Sequence, residues 1–155
     1  MMVWALLPIA AATAVSCGPG PLYSEDPRDQ AAISPRSQWK ASGTLQDPQA
    51  AVDGRFETAA TTNAGGANAR LIVDLGKPSL FNMVVLEQGR YETAFPRRVQ
   101  LATGLENGNF RTVGTATGNR RVTIISTIGP VLARYIELSA EPGREGWAVA
   151  ELHLK

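Results

Sequence analysis

The stretch Ala69–Gln88, ARLIVDLGKPSLFNMVVLEQ, carries a clear strand pattern around which the rest of this chain is arranged. Two apolar runs rich in β-branched residues, Leu71–Leu75 and Leu80–Leu86, flank Gly76-Lys77-Pro78. Such side chains fit a pleated, half-buried surface, and Gly-x-Pro stops a helix, so the pattern predicts two adjacent strands joined by a turn. Neither run alternates cleanly between apolar and polar residues, which indicates strands covered on both faces. We therefore expect both strands in the middle of a sandwich core.

The composition favours one domain and excludes nucleic acid as an expected partner. The chain has 155 residues, enough for a single buried core, and its formal net charge is +1. That charge creates no field that would steer a polyanion. The basic residues are nearly all Arg and are spread along the chain, with Arg120-Arg121 as the one local pair. Such a distribution is more typical of a solvated surface than of a phosphate site.

The first seventeen residues differ from the rest of the chain. Val3–Val15 is apolar apart from Thr13, and Ser16-Cys17 follows it. This run is too short for a stable membrane-spanning helix but suits the apolar region of a signal peptide, which we assign to residues 1–17. Ala14–Cys17 resembles a bacterial lipobox, whose Cys is lipidated and becomes the mature N-terminus. Ala14 stands where Leu is usual and no Lys or Arg precedes the run, so a plain secretory peptide or an uncleaved anchor stays as the alternative.

Cys17 is the only cysteine, so an internal disulfide is impossible, and a lone Cys just after an apolar run is explained best by lipidation. We expect an exported protein of the cell envelope that touches the membrane only through an N-terminal lipid, or otherwise a secreted or periplasmic one. Residues 18–33 are rich in Pro, Gly and charge and predict a flexible linker. The folded domain is expected to comprise residues 34–155.

Turn signals divide the domain into short strands. Glu106–Asn109 is a strong hairpin turn, Thr117–Asn119 is a second turn, and Glu141–Gly143 closes the penultimate strand. No segment has a sustained helical period, so the pattern predicts an all-β, eight-stranded sandwich or jelly roll. Gln46–Asn68 is the longest stretch without a predicted strand, and loops of that length usually carry function. The predicted strands are Gln38–Ser42, Leu71–Asp74, Phe81–Gln88, Arg98–Thr103, Phe110–Ala116, Arg121–Ser126, Leu132–Ser139 and Trp147–Leu154.

Five motifs in series carry a family resemblance. They are A-x-D-G-x-x-x-T at 51–58, L-x-V-D-L-G-K-P at 71–78, F-N-x-V-V-L-E at 81–87, A-R-Y-I-x-L at 133–138 and W-x-x-x-E-L at 147–152. Each motif alone is weak, but the series over residues 38–154 resembles the discoidin or coagulation factor 5/8 type C superfamily. Within this galactose-binding-like group it is most similar to bacterial carbohydrate-binding modules (CBMs). The resemblance implies an eight-stranded jelly-roll β-sandwich whose chain ends lie close together.

The resemblance also implies a structural calcium ion. A hard cation of this kind takes about six to eight oxygen ligands. The family supplies them from the A-x-D-G loop and from a Glu on the last strand. In this chain Asp53 and Glu151 would be carboxylate ligands, Thr58 a hydroxyl and carbonyl ligand, and Ala50 and Arg55 would add backbone carbonyls. Without the resemblance, Asp53 would be an ordinary turn residue and Glu151 a surface acid on an edge strand.

The sugar-binding pattern of the resembled family is incomplete here. Galactose-binding members have a His after T-x-W, an Arg and an Asn on the loop after the V-V-L strand, and an aromatic platform. Thr58-Ala59-Ala60 lacks the Trp, and Thr61-Thr62-Asn63 contains no His. Arg70 replaces the Trp that often precedes L-x-V-D-L-G.

The loop Gly89–Phe95 keeps residue types that suit a sugar. Sugars are held by stacking on aromatic faces and by bidentate hydrogen bonds to neighbouring hydroxyls. We therefore predict Arg90, Tyr91 and Glu92 as ligand contacts. Trp147 is a candidate platform, although a Trp at the head of a core strand is more often packed inside.

Catalysis has little support in the sequence. The sole histidine, His153, has no Ser or Cys partner in view, and no paired-carboxylate signature is present. We expect a non-catalytic module that binds a glycan or cell-surface polysaccharide weakly, through loops at one end of the sandwich. The alternative is a structural or protein-interaction lipoprotein that has lost the sugar site. A third function, lipid-headgroup binding, requires exposed apolar residues, and the loop Ala59–Asn68 offers none.

Overall fold

Antiparallel strands make up most of the domain in the computed structural model, which describes residues 32–63 and 69–155. The signal peptide with Cys17, nearly all of the linker and the end of the loop Ala59–Asn68 lie outside the described residues. No helix in the described part of the chain is long and apolar enough to cross a membrane. The elements are two 3₁₀ helices, Arg36–Gln38 and Pro48–Ala51, and the strands β1 (Lys40–Gly43), β2 (Ala60–Thr62), β3 (Ala69–Glu87), β4 (Arg98–Gly104), β5 (Arg111–Thr117), β6 (Val122–Glu141), β7 (Trp147–Val149) and β8 (Glu151–Leu154).

The stretch Ala69–Gln88 contains one strand, β3, and not two. The predicted turn at Gly76–Pro78 was wrong, because the strand continues through it as a bulge. Between the pairs Asp74↔Tyr135 and Ser79↔Ala133, the residues Leu75–Pro78 lie opposite the single residue Arg134 of β6. A bulge of this kind leaves residues unpaired, so Pro78 needs no amide proton there, and Gly76 adopts a φ of 80° that favours glycine.

The predicted strands Arg121–Ser126 and Leu132–Ser139 are likewise one strand, β6. Its four residues Thr127–Pro130 bulge opposite Asn82 of β3, and the Thr127 hydroxyl donates to the Asn82 carbonyl oxygen at 3.1 Å. No strand is predicted at 127–131, where Gly129-Pro130 is a pair typical of turns. Tertiary pairing with β3 keeps the chain extended instead.

The two long strands connect the parts of the sandwich. The larger sheet has the order β1-β3-β6-β4-β5, with β8 added to β3, and β2 pairs with β7 in a separate two-stranded sheet. The first half of β3 pairs with β1, and its second half pairs with β8. Arg36 near the start of the domain contacts Leu152 near its end, so the two ends of the domain lie close together as expected. The predicted all-β jelly-roll sandwich is confirmed.

The burial of β3 corrects one expectation and confirms another. In its first half Leu71, Val73 and Leu75 are buried while the residues between them are exposed or half-buried, so only one face is covered. In its second half the run Val84–Leu86 is buried throughout, as predicted for a strand covered on both faces.

The other strand predictions hold apart from two places. The predicted strand Trp147–Leu154 is interrupted at Ala150, because β7 pairs with β2 whereas β8 pairs with β3. The three-residue strand β2 was missed, since so short a segment carries no period of its own. The hairpin turn Glu106–Asn109 is confirmed between β4 and β5, where Gly108 has a φ of 88°.

Asp74 fixes the bulge in β3. Its carboxylate accepts the Gly76 N–H at 2.8 Å and two hydrogen bonds from Arg134, at 2.9 and 3.1 Å. The hydrogen bond from Arg134 lowers the pKa of Asp74 below its usual value. A carboxyl group whose pKa is lower in the folded state stabilises the fold above its unfolded pKa, and this contribution is lost as the pH falls through the folded value.

Replacing this carboxylate should therefore destabilise the domain most at neutral pH. We expect Asp74→Ala to cost about 1 kcal/mol for the lost bond to Gly76 alone. The difference from wild type should shrink when the pH is lowered from 7 to 3, because the native carboxyl then becomes protonated. Urea denaturation at several pH values measures both effects, with Glu106→Ala in the exposed hairpin turn as control. A difference that is independent of pH would contradict this role for the charge.

Candidate functional site

Three of the predicted calcium ligands lie on one loop after the second 3₁₀ helix. Asp53 accepts the Arg55 N–H at 2.9 Å and the Thr58 hydroxyl at 2.7 Å. The Thr58 hydroxyl oxygen also lies 3.0 Å from the Arg55 carbonyl oxygen. Gly54 has a φ of 82°, which permits the tight turn between them. The loop thus places a carboxylate, a hydroxyl and a carbonyl oxygen next to one another.

Ala50 precedes this loop as part of the 3₁₀ helix Pro48–Ala51, where its N–H donates to the Asp47 carbonyl oxygen at 2.9 Å. The same helix packs against β8, the strand that begins with Glu151. Helix packing therefore relates the loop to the last strand, although the two are far apart in sequence.

Glu151 is a buried acid and not a surface one. Its side chain is 1% exposed, so the interpretation as a surface acid on an edge strand, made without the family resemblance, was wrong. Within the described residues neither carboxylate oxygen has a hydrogen-bond partner, yet Arg36 forms an ion pair with it. We interpret this pair as a contact between opposite charges. A further ligand of Glu151 would therefore meet the guanidinium of Arg36 at this carboxylate.

This donor set suits a hard cation. Carboxylate, hydroxyl and carbonyl oxygens are the ligands that calcium takes in proteins. Among the residues that the structure describes, no group of three His, Cys, Asp or Glu side chains is placed to hold a metal ion by itself. Neutral oxygens such as those of Thr58 and Arg55 would therefore have to complete the shell. A bound ion would neutralise Asp53 and Glu151 and join the loop to β8.

The predicted ligand residues lie on the connection between β3 and β4. Arg90 donates to the Tyr91 hydroxyl at 3.0 Å, and its guanidinium carbon lies 5.1 Å from the centre of the Tyr91 ring. Glu92 pairs with Arg121 on the connection between β5 and β6, at 3.2 Å. The structure therefore brings Arg90 and Tyr91 together as a unit, while Glu92 is engaged with a neighbouring loop.

Three connections meet at this end of the sandwich. The Gln88 N–H donates to the Arg121 carbonyl oxygen at 3.1 Å, and the Thr93 hydroxyl bonds Glu145 on the connection between β6 and β7. One surface depression of about 520 Å³ is lined by Glu92, Asn119, Arg120, Arg121 and Val122. A second of about 300 Å³ is lined by Thr93, Phe95, Arg97, Gly143, Arg144 and Glu145. We call this region the loop end.

Trp147 does not belong to this surface. Its side chain is 0% exposed within the hydrophobic core, so its indole has no free face for a ligand. The expectation that it acts as a platform is therefore corrected in favour of packing. Conversely, sequence reasoning missed Arg121 and Glu145, which join the three connections. The Arg120-Arg121 pair was the one available signal, and it points to the loop end.

The domain is similar to known proteins in sequence and in fold. The F5/8 type C domain family model matches residues 31–152. No curated protein matches the chain in a sequence search.

Three solved structures share the fold. The family 32 CBM from C. perfringens NanJ in complex with galactose has a TM-score of 0.69 at 24% identity, covering 80% of this chain and 97% of that one. CBM32 of AlyQ in complex with 4,5-unsaturated mannuronic acid has a TM-score of 0.63 at 16% identity, covering 75% and 93%. Chitosan-binding module 1 from the chitosanase/glucanase of Paenibacillus sp. IK-5 has a TM-score of 0.62 at 22% identity, covering 81% and 97%.

Proposed function

This chain belongs to the F5/8 type C domain family, and from that premise we propose that it is a non-catalytic carbohydrate-binding module. The observation that carries the proposal is the contact between Arg90 and Tyr91. Both residues lie on the connection between β3 and β4, one of the three connections that converge at the loop end. Similar modules were solved with galactose and with an unsaturated mannuronic acid, which supports a saccharide as the ligand class. The ligand would be a glycan or cell-surface polysaccharide.

The chemistry of the unit suits sugar hydroxyls. A guanidinium has five N–H donors, and one donor group of Arg90 is used on Tyr91, so the remaining donors are able to bond two neighbouring hydroxyls. The Tyr91 ring, which Arg90 covers on one side, would offer its other face to the sugar C–H groups. Glu92 would accept from a third hydroxyl. The loop end is open to water, so we expect a dissociation constant on the order of 0.1–1 mM, or about 4–5.5 kcal/mol.

One observation favours a second function, a structural or protein-interaction module that has lost the sugar site. Glu92 already pairs with Arg121, and Arg90 already covers Tyr91, so the predicted contacts are in part satisfied within the protein. A ligand would have to compete with these contacts. The missing Trp after Thr58 and the missing His favour the same alternative.

Binding to a glycan array separates the two functions. If the module binds sugar, Arg90→Ala should lose roughly 1.5–3 kcal/mol with the charged hydrogen bonds, which erases binding this weak. Its melting temperature should stay nearly unchanged because Arg90 is exposed. Arg111→Ala, an exposed arginine at the opposite end of the sandwich, is the matched control and should bind like wild type. A wild-type protein that binds no glycan would favour the structural module, and an Arg90→Ala variant that still binds would place the sugar elsewhere.

We further propose that Asp53, Thr58 and Glu151, with the carbonyls of Ala50 and Arg55, hold a structural calcium ion. The oxygen atoms around Thr58 and the buried carboxylate of Glu151 support this assignment. The ion would stabilise the folded domain and take no part in chemistry.

Removal of calcium should then lower the melting temperature. An ion present at about 100 times its dissociation constant adds about 2.7 kcal/mol to the free energy of unfolding. Asp53→Ala should be less stable in calcium and should not respond to EDTA, whereas Glu57→Ala in the same loop should respond like wild type. An EDTA-treated wild type with an unchanged melting temperature would rule the site out.

We propose, finally, that the protein is exported and anchored through lipid on Cys17. The apolar run Val3–Val15 followed by a lone Cys supports this, and both lie outside the described residues. Mass spectrometry of membrane-fraction protein should show a diacylglyceryl-modified Cys17 at the N-terminus. A Cys17→Ser variant should lose the modification. An unmodified chain beginning at Met1 in the cytosol would disprove the anchor.

A further inference from the structure

We propose that Arg36 is the built-in counter-ion of Glu151, which fixes the last strand in the absence of metal and which a bound calcium ion must displace. The first half of this inference stands on the contacts of Arg36 alone. The second half rests on the calcium site proposed above.

Glu151 needs a positive charge in the folded domain. Its carboxylate is 1% exposed on β8, and an unpaired charge in such surroundings is strongly destabilising. Within the described part of the chain, Arg36 is the one basic residue that forms an ion pair with it. The need for a cation at this position is therefore met by the protein itself.

Further contacts hold the guanidinium of Arg36 against the last strand. Its Nη2 donates to the Leu152 carbonyl oxygen at 2.8 Å and lies 2.9 Å from Nδ1 of His153. Its central carbon lies 5.4 Å from the centre of the Trp39 ring, a geometry suited to a cation–π interaction. Arg36 thus connects the first 3₁₀ helix to three successive residues, Glu151, Leu152 and His153. An isolated ion pair at the surface would lack these additional contacts.

The same guanidinium lies in the electrostatic field of the loop that carries Asp53. Burial lowers the pKa of Arg36, and the carboxylates of Glu87 and Asp53 oppose that effect. The charge of Asp53 therefore reaches Arg36, which also forms the ion pair with Glu151, the other carboxylate assigned to calcium. A divalent ion placed on both would meet the guanidinium as a like charge at short range, where repulsion is strong. Arg36 and calcium are therefore competing ligands of Glu151, and each must weaken the other.

A double-mutant cycle in EDTA tests the counter-ion role without any metal. It compares the full chain with Arg36→Gln, Glu151→Gln and the double variant by urea denaturation. We expect each single variant to be less stable than wild type. The double variant should be no less stable than the less stable of the two single variants. The coupling should be at least about tenfold in the unfolding equilibrium constant. Additive effects would overturn the role.

Two further variants distinguish loss of the Arg36–Glu151 ion pair from a general loss of stability. Arg36→Lys keeps the charge but not the planar fork, and should recover part of the stability lost in Arg36→Gln, whereas equal loss would refute a role for the charge. Arg70→Gln breaks the ion pair with Glu137 elsewhere on the sheet and serves as the matched control.

A titration with calcium chloride alone tests the competition. We expect Arg36→Gln to bind calcium at least about tenfold more tightly than wild type, since no guanidinium has to leave, and Arg70→Gln to bind like wild type. Equal affinity in wild type and Arg36→Gln would overturn the competition. Absence of calcium binding in every variant would remove the calcium site and the competition with it, while the cycle in EDTA still decides whether Arg36 is the counter-ion.

Discussion

The antiparallel pairing of β3 with β6 is the contact on which the rest of the structure depends. The two strands, Ala69–Glu87 and Val122–Glu141, run beside each other over nearly their whole length. β1 and β8 pair with different halves of β3, and β4 pairs with the second half of β6. The bulges opposite Arg134 and Asn82 separate these halves, because they change the register and direction of a strand without ending it. The ribbon formed by β3 and β6 therefore provides the edges with which β1, β8 and β4 pair.

This ribbon also determines where the functional groups lie. β3 ends and β6 begins at the same end of the sandwich, so the connections that carry Arg90 and Arg121 meet there. At the other side of β3, β8 pairs with its second half, which brings Glu151 opposite Glu87. Two acids on paired strands need compensation, and Arg36 supplies it from the start of the domain. The loop end and the position of Glu151 are thus both consequences of strand order.

The bias of the basic residues toward arginine has a structural use in this domain. Arg36 pairs with Glu151, Arg134 with Asp74 and Arg70 with Glu137. A planar guanidinium bonds a carboxylate through two parallel donors and at the same time stacks on an aromatic ring, which an ammonium does less well. Arg134 shows both properties, with two bonds to Asp74 and its guanidinium 5.1 Å from the Tyr135 ring. These charges therefore act in internal pairing and not in a field for a polyanion.

Strand period, turn chemistry and family motifs are local signals, so they were enough to predict the fold class, most strand positions, the hairpin turn at Glu106–Asn109 and the loop that carries Asp53 and Thr58. That Gly76–Pro78 is a bulge within a strand is visible only in the folded domain. Pairing with β6, which is distant in sequence, stabilises an extended backbone that the local residues do not favour. The burial of Glu151 was likewise not evident from the local sequence, because an acid on a short strand is usually exposed, whereas here elements distant in the chain enclose it. The pairing of Arg36 with Glu151 joins residues more than a hundred positions apart, and no local pattern predicts a contact that forms only when the ends of the domain meet.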